Sequence, residues 1–142
     1  YVVQRGEYEW ATHTNERTAA SYFPHNYQFV YEAGRMDLIE GEQELFAGIR
    51  AIPTPGHTPH HQSILIESDG ERLLYLGDLI PTAAHLPLPW IMGYDVEPLV
   101  TLESKRAILQ RAVDEGWQLM FEHDATVPWG AVAHDGKQYA LA

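Results

Sequence analysis

Asp69-Gly70 stands between two runs rich in β-branched and large apolar residues, 63–68 and 71–76. A two-residue turn needs positive φ at both positions, which Asp and Gly tolerate, so the pair predicts a type I′ hairpin. A hairpin in mid-chain commits its neighbours to a sheet, and the flanking texture agrees. Residues 37–40, 44–46 and 49–52 read as strands, with Gly41 at a turn, and 117–121 reads as a buried strand. Residues 129–133 and 137–141 flank His134-Asp135-Gly136 as a second hairpin. Between them, Leu99, Leu102, Leu109 and Val113 fall on one helical face, with Asp95 as cap, Pro98 in the first turn and Gly116 as stop. Upstream, 1–4 reads as a strand, 7–20 as a helix, and 21–31, interrupted by Pro24, as an irregular segment or a broken helix. The expected class is α/β.

Composition narrows what such a fold can do. The 142 residues are 45% hydrophobic and 20% charged, which supports one domain with a core and argues against disorder. Nine Lys+Arg against twenty Asp+Glu give a formal charge of −11 and no basic cluster, so no nucleic-acid partner is expected. The same acidity disfavours anionic membranes and strongly anionic substrates. No apolar run approaches bilayer length, so no membrane partner is expected either. A small-molecule substrate is the expected partner. With no cysteine, any metal must be held by histidine and carboxylate. No signal-peptide pattern is present, and a cytoplasmic protein is expected; Tyr1 is not a start methionine, so a missing native N-terminus is expected as well.

Three polar groups sit just past strand ends. His57 follows Thr54-Pro55-Gly56, Asp78 follows Gly77, and His123 follows the 117–121 strand. A ligand in that position is held rigidly yet stays reachable from a cleft. Singly, each has an ordinary explanation: a loop hydrogen-bonder, a turn aspartate, a chance His-Asp. Together, after consecutive core strands, they read as ligands for zinc, or for manganese or iron.

Thr54-Pro55-Gly56-His57-Thr58-Pro59-His60-His61 resembles the Thr-Pro-Gly-His-Thr-x-Gly-His motif of the metallo-β-lactamase superfamily. Tyr75-Leu76-Gly77-Asp78 is similar to its Gly-Asp motif, and Phe121-Glu122-His123-Asp124 to its final histidine motif. The look is nearest to the quorum-quenching lactonases and methyl-parathion-type hydrolases. The resemblance implies the C-terminal part of an αββα sandwich and a two-zinc hydrolase cleaving an ester, lactone or phosphotriester with a bridging hydroxide. His57 would be the third histidine of the first metal site, Asp78 the bridging and catalytic carboxylate, and His123 a ligand of the second site. His61 would orient the loop rather than bind metal, and His85 is a weaker candidate for touching substrate.

Two departures stand out. His60 replaces the motif's glycine, and the family's His-x-His-x-Asp-His string occurs nowhere in the chain. The expectation is therefore one partial domain whose N-terminal half is missing, inactive and weakly metal-binding by itself. A homo-oligomer, covering an exposed apolar face, belongs to the same expectation. A metal-free interaction domain, or iron-dependent oxidation on this fold, are the alternatives.

Overall fold

A computed structural model describes all 142 residues. They divide into two compact units, Tyr1–Gly41 and Glu42–Ala142.

In the first unit, strand β1 (Val2–Gln4) leads into helix α1 (Arg5–Thr12), helix α2 (Pro24–Glu32) follows, and strand β2 (Asp37–Ile39) pairs parallel with β1. The helix expected over 7–20 stops at Thr12. The reason is local: Asn15 Oδ1 accepts the backbone N–H groups of Arg17 and Thr18, at 3.0 and 3.1 Å, and a side chain that closes its own turn competes with helix. The segment expected to be irregular or a broken helix forms a regular helix from Pro24 onward, because Pro24 falls in its first turn, where a missing N–H costs nothing. Tyr8 and Tyr31 stack at 4.4 Å between centroids, and Tyr27 Oη donates to the Ala11 carbonyl.

The second unit is built on one sheet. Its strands are β3 (Gln43–Phe46), β4 (Ile49–Pro53), β5 (Gln62–Ser68), β6 (Glu71–Tyr75), β7 (Gln118–Met120), β8 (Trp129–His134) and β9 (Tyr139–Leu141), hydrogen-bonded in that order. The turn between β5 and β6 has φ of 51° at Asp69 and 84° at Gly70, the two positive values a type I′ turn requires. Every neighbouring pair is antiparallel except β6 and β7. Parallel neighbours need a crossover, and helix α3 (Pro98–Glu115) lies within it, stopped by Gly116 in the left-handed region at φ 70°.

Helix α3 covers one face of the sheet. Leu65, Leu74, Leu119 and Val132 point from alternate strand positions into a core with Ile108, Leu109, Ala112 and Trp117. Burying each of the larger apolar side chains contributes about 1.5–3 kcal/mol before entropy is set against it. The expected helical face holds in part: Leu109 is buried and Val113 packs against the core, but Leu99 is exposed, and Thr101, Lys105, Ile108 and Ala112 are buried beside Leu109. The cap is also different: Glu97 precedes the helix, while Asp95 is buried elsewhere. On the other face of the sheet Ile66, Leu73, Gln118 and Trp129 line a shallow groove of about 350 Å³. No helix is long and apolar enough to cross a membrane.

Candidate metal centre

Strand directions bring the three sequence candidates to one edge. β4 is antiparallel to β5 and β5 to β6, so β4 and β6 run the same way, and β7 runs parallel to β6. The C-terminal ends of β4, β6 and β7 therefore share one edge of the sheet, and the residues just past them are His57, Asp78 and His123. His57 Nε2 lies 3.4 Å from Asp78 Oδ2, and His123 Nε2 lies 3.0 Å from Asp78 Oδ1. One carboxylate faces two imidazoles.

His57 is fixed from behind. Its Nδ1 is 3.0 Å from Oδ1 of Asp95, whose side chain is 1% exposed. An ionised carboxylate only accepts, so Nδ1 donates its proton to Asp95, and Nε2 is the ring nitrogen that faces Asp78. The loop is bound to the start of α3: Val96 N–H donates to the His57 carbonyl, Glu97 N–H to the Gly56 carbonyl, and Ser104 Oγ to the Pro55 carbonyl at 2.6 Å. Gly56 has φ 135°, and a Cβ there would overlap the backbone nitrogen and Oγ1 of Thr101.

Asp78 is placed by a hydrogen-bonded thread beneath it. Asp78 N–H donates to His61 Nε2 at 3.2 Å, so His61 carries its proton on Nδ1 and gives it to Thr54, 2.8 Å away at Oγ1. Thr54 Oγ1 donates onward to Ser63 Oγ at 3.0 Å, and Ser63 Oγ donates to the Leu76 carbonyl at 2.9 Å. Thr54 and Ser63 are fully buried, so every hydroxyl in this thread has a partner where one left bare would be costly. Gly77 completes the fit, since a Cβ on it would stand 2.8 Å from His61 Nε2. His61 thus orients the Asp78 loop.

His123 is held more lightly. Its side chain is 55% exposed, and its backbone N–H donates to the Pro81 carbonyl at 3.0 Å. The neighbouring Asp124 braces the turn by accepting from Thr126, Val127 and Ala83. Those backbone bonds, Thr126's first, hold its carboxyl down to about 2. Glu122 joins the group: Asp78, Glu122 and His123 each place a ligand atom within 4.8 Å of the others. Tyr75 stands beside Glu122, its hydroxyl pushed up to about 12 by burial, by its hydrogen bond to Glu122, and by the charges of Glu122 and Asp78.

His85 is not one of that group of three. Its Nδ1 is 2.8 Å from Thr82 Oγ1, and its carbonyl accepts from Lys105. Lys105 is a residue that sequence reasoning missed. It is 1% exposed, and its ammonium donates to the carbonyls of His85, Pro87 and Trp90 at 2.7, 3.0 and 2.8 Å, pinning the loop between β6 and α3. Burial pushes its pKa down to about 8, and the charge of Asp95 pulls it back up. Asp95 and Glu122 were missed too. Asp95 carries no local signal, being 38 residues from His57 in the chain; the need of a ligating histidine for an orienting carboxylate is the only hint that one exists.

Comparison with known proteins follows the same pattern. The family model described as "Metallo-beta-lactamase superfamily" matches residues 1–130. An N-acyl homoserine lactonase from Bacillus sp is 42% identical over 69 residues, 48% of this chain and 24% of that protein. Among solved structures, a probable metal-dependent hydrolase from Staphylococcus aureus superposes with a TM-score of 0.85 at 27% identity, over 99% of this chain and 51% of that one. An N-acyl homoserine lactone hydrolase, solved with N-hexanoyl-L-homoserine at its catalytic metal center, superposes with a TM-score of 0.70 at 28% identity, over 87% of this chain and 46% of that one. This chain therefore spans about half the length of these solved relatives.

Proposed function

The chain belongs to the metallo-β-lactamase superfamily, and from that premise we propose that it carries the His57, Asp78 and His123 share of the metal centre of a hydrolase. The observation that carries this reading is one carboxylate, Asp78, meeting two imidazole nitrogens at 3.4 and 3.0 Å on an open sheet edge. The donor set suits a divalent cation. His57 and His123 would hold it through imidazole nitrogens and Asp78 through its carboxylate. Zinc fits imidazole and carboxylate first, with manganese and iron as alternatives.

Asp78 has one oxygen toward each histidine, so its carboxylate would help to hold metal on both sides. When bound, such ions lower the pKa of a coordinated water to about 7 and polarise the oxygen of the scissile bond. The chain's own part is to hold that centre in shape. Asp95 fixes the tautomer and direction of His57, and the His61–Thr54–Ser63 thread fixes the Asp78 loop. The remaining ligands are proposed to come from a His-x-His-x-Asp-His segment outside these 142 residues. The bond cleaved would be an ester, lactone or phosphotriester in a neutral or weakly charged molecule, in keeping with the net charge of −11. The identity to a lactonase across 69 residues puts lactones first.

Joined to that segment, the protein is expected to hydrolyse at least one of a panel of acyl-homoserine lactones, aryl esters and phosphotriesters, with zinc, manganese or iron supplied. Asp78→Ala is expected to lower kcat/KM beyond the roughly 10–100-fold that the loss of an orienting partner costs. No turnover of any of the three classes, or an unchanged rate in Asp78→Ala, breaks the reading.

A further inference from the structure

Two charged residues are buried in the molecule: Asp95, which backs His57, and Lys105. Resting on the reading of His57 as part of a working site, we propose that Lys105 is a positioning residue. It clamps the loop between β6 and α3 so that Asp95 stays in line with His57. Its ammonium meets the carbonyls of His85, Pro87 and Trp90 at 2.7, 3.0 and 2.8 Å, with that of Leu88 at 3.4 Å. All three N–H donors thus have acceptors in a place closed to water. Burying a charge is costly where an apolar side chain would serve the packing of a helix, so what the ammonium contributes is its hold on the loop.

The loop's own residues explain why it takes a cation. Pro81, Pro87 and Pro89 have no N–H, so this stretch offers carbonyls without donors to match and cannot be knit into the sheet. Its one regular piece is a single helical turn, Ala83–His85. The two ends are moored elsewhere: the Pro81 carbonyl accepts from His123 N–H, and Asp95 Oδ1 lies 3.0 Å from His57 Nδ1. Lys105 grips the middle, where carbonyls spread over residues 85–90 converge on one nitrogen.

The grip comes from a rigid element. Thr101, Ser104 and Lys105 stand at i, i+3 and i+4 on α3 and so share one of its faces. The backbone nitrogen and Oγ1 of Thr101 fill the space where a Cβ on Gly56 would stand, and Ser104 Oγ donates to the Pro55 carbonyl. Lys105 takes the loop that leads to Asp95. The segment carrying His57 and the segment carrying Asp95 are therefore set against the same stretch of helix. Freeing the second lets Asp95 drift from His57 while the helix still holds Gly56.

The test uses the 142-residue chain without metal. Hydrogen exchange is followed by mass spectrometry, and the His57 Nδ1–H proton by NMR, assigned by its loss in His57→Gln. In the unaltered chain the amides of Leu86, Trp90 and Asp95, bonded within local turns, should exchange about a hundredfold or more slower than those of an open loop. Lys105→Met, close in length but uncharged, should speed exchange across 82–96 by about tenfold or more, while β4, β5 and β6 keep their protection. The His57 signal should broaden or vanish in the same variant. Lys105→Ala with n-propylammonium in the buffer should recover that signal, and 1-propanol of the same shape should not. Recovery by both or by neither overturns the clamp, as does a Lys105→Met chain whose loop exchange stays within about twofold of the unaltered one with the His57 signal intact. Should Lys105→Met fail to fold, the unaltered chain decides, since open-loop exchange of those three amides sinks the proposal by itself. None of these readouts involves turnover, so the hydrolase reading stands or falls separately.

Discussion

His57 and His123 face the same carboxylate from supports of very different stiffness. His57 rests on a buried aspartate, on a glycine wedged against Thr101, and on three hydrogen bonds to the start of α3. His123 is 55% exposed and stands in a turn braced by Asp124 and by one backbone bond to Pro81. The first arm is fixed by folding before any ligand arrives. The second keeps freedom to adjust. Preorganisation here is spent on one arm, and Asp78, held by the His61 thread, transmits it to the other.

The sharpest way to break this comparison is at Gly56. Gly56→Ala puts a Cβ into Thr101 in a left-handed backbone region, so the loop and α3 must separate. A loss of about 3 kcal/mol is expected from urea denaturation. A loss under about 1 kcal/mol would show that the His57 arm is looser than its contacts say.

The next effect is on affinity. Asp95→Asn keeps an acceptor for His57 but removes the charge that favours its Nδ1–H tautomer. In the protein with its full ligand set, zinc affinity is expected to fall by about tenfold, read by chelator competition. The equivalent change on the other arm, Asp124→Asn, should leave affinity within about twofold, because Asp124 braces backbone rather than the ring. Equal losses in the two variants would erase the distinction between the arms.

The smallest effect is a pH dependence confined to the His123 side. Asp124 is held at about 2, below the ordinary carboxylate value, chiefly by Thr126's backbone N–H. A carboxyl whose pKa is depressed by folding adds stability that is present above about pH 4 and is lost as pH falls toward about 2. Urea midpoints measured across that window should fall less steeply in Asp124→Asn than in the unaltered chain. Parallel acid limbs would mean that the turn does not use the charge.

Much of this was legible in the residues. The Asp69-Gly70 hairpin, the Gly116 stop and the placing of His57, Asp78 and His123 past strand ends all follow from short-range rules, and the structure keeps each of them. The errors fell where a residue's role depends on what lies beside it in space. Asp95 has the look of a helix cap and is instead a buried partner of His57. Lys105 drew no reading from the sequence and is wrapped by carbonyls from a loop 15–20 residues upstream. Leu99 carries the apolar signature of a buried face and is exposed, because the sheet lies against the neighbouring stripe of α3.

Turn types, the placing of polar residues past strand ends and helix stops are set by a few adjacent residues, whose backbone angles and hydrogen-bonding groups act at short range. Those the amino-acid order determined by itself. Which carboxylate backs His57, whether Glu122 reaches Asp78, and which side of α3 is buried depend on distances between segments far apart in the chain. Such distances exist only after β4, β6 and β7 have been brought to one edge, and so the tertiary structure alone decided them.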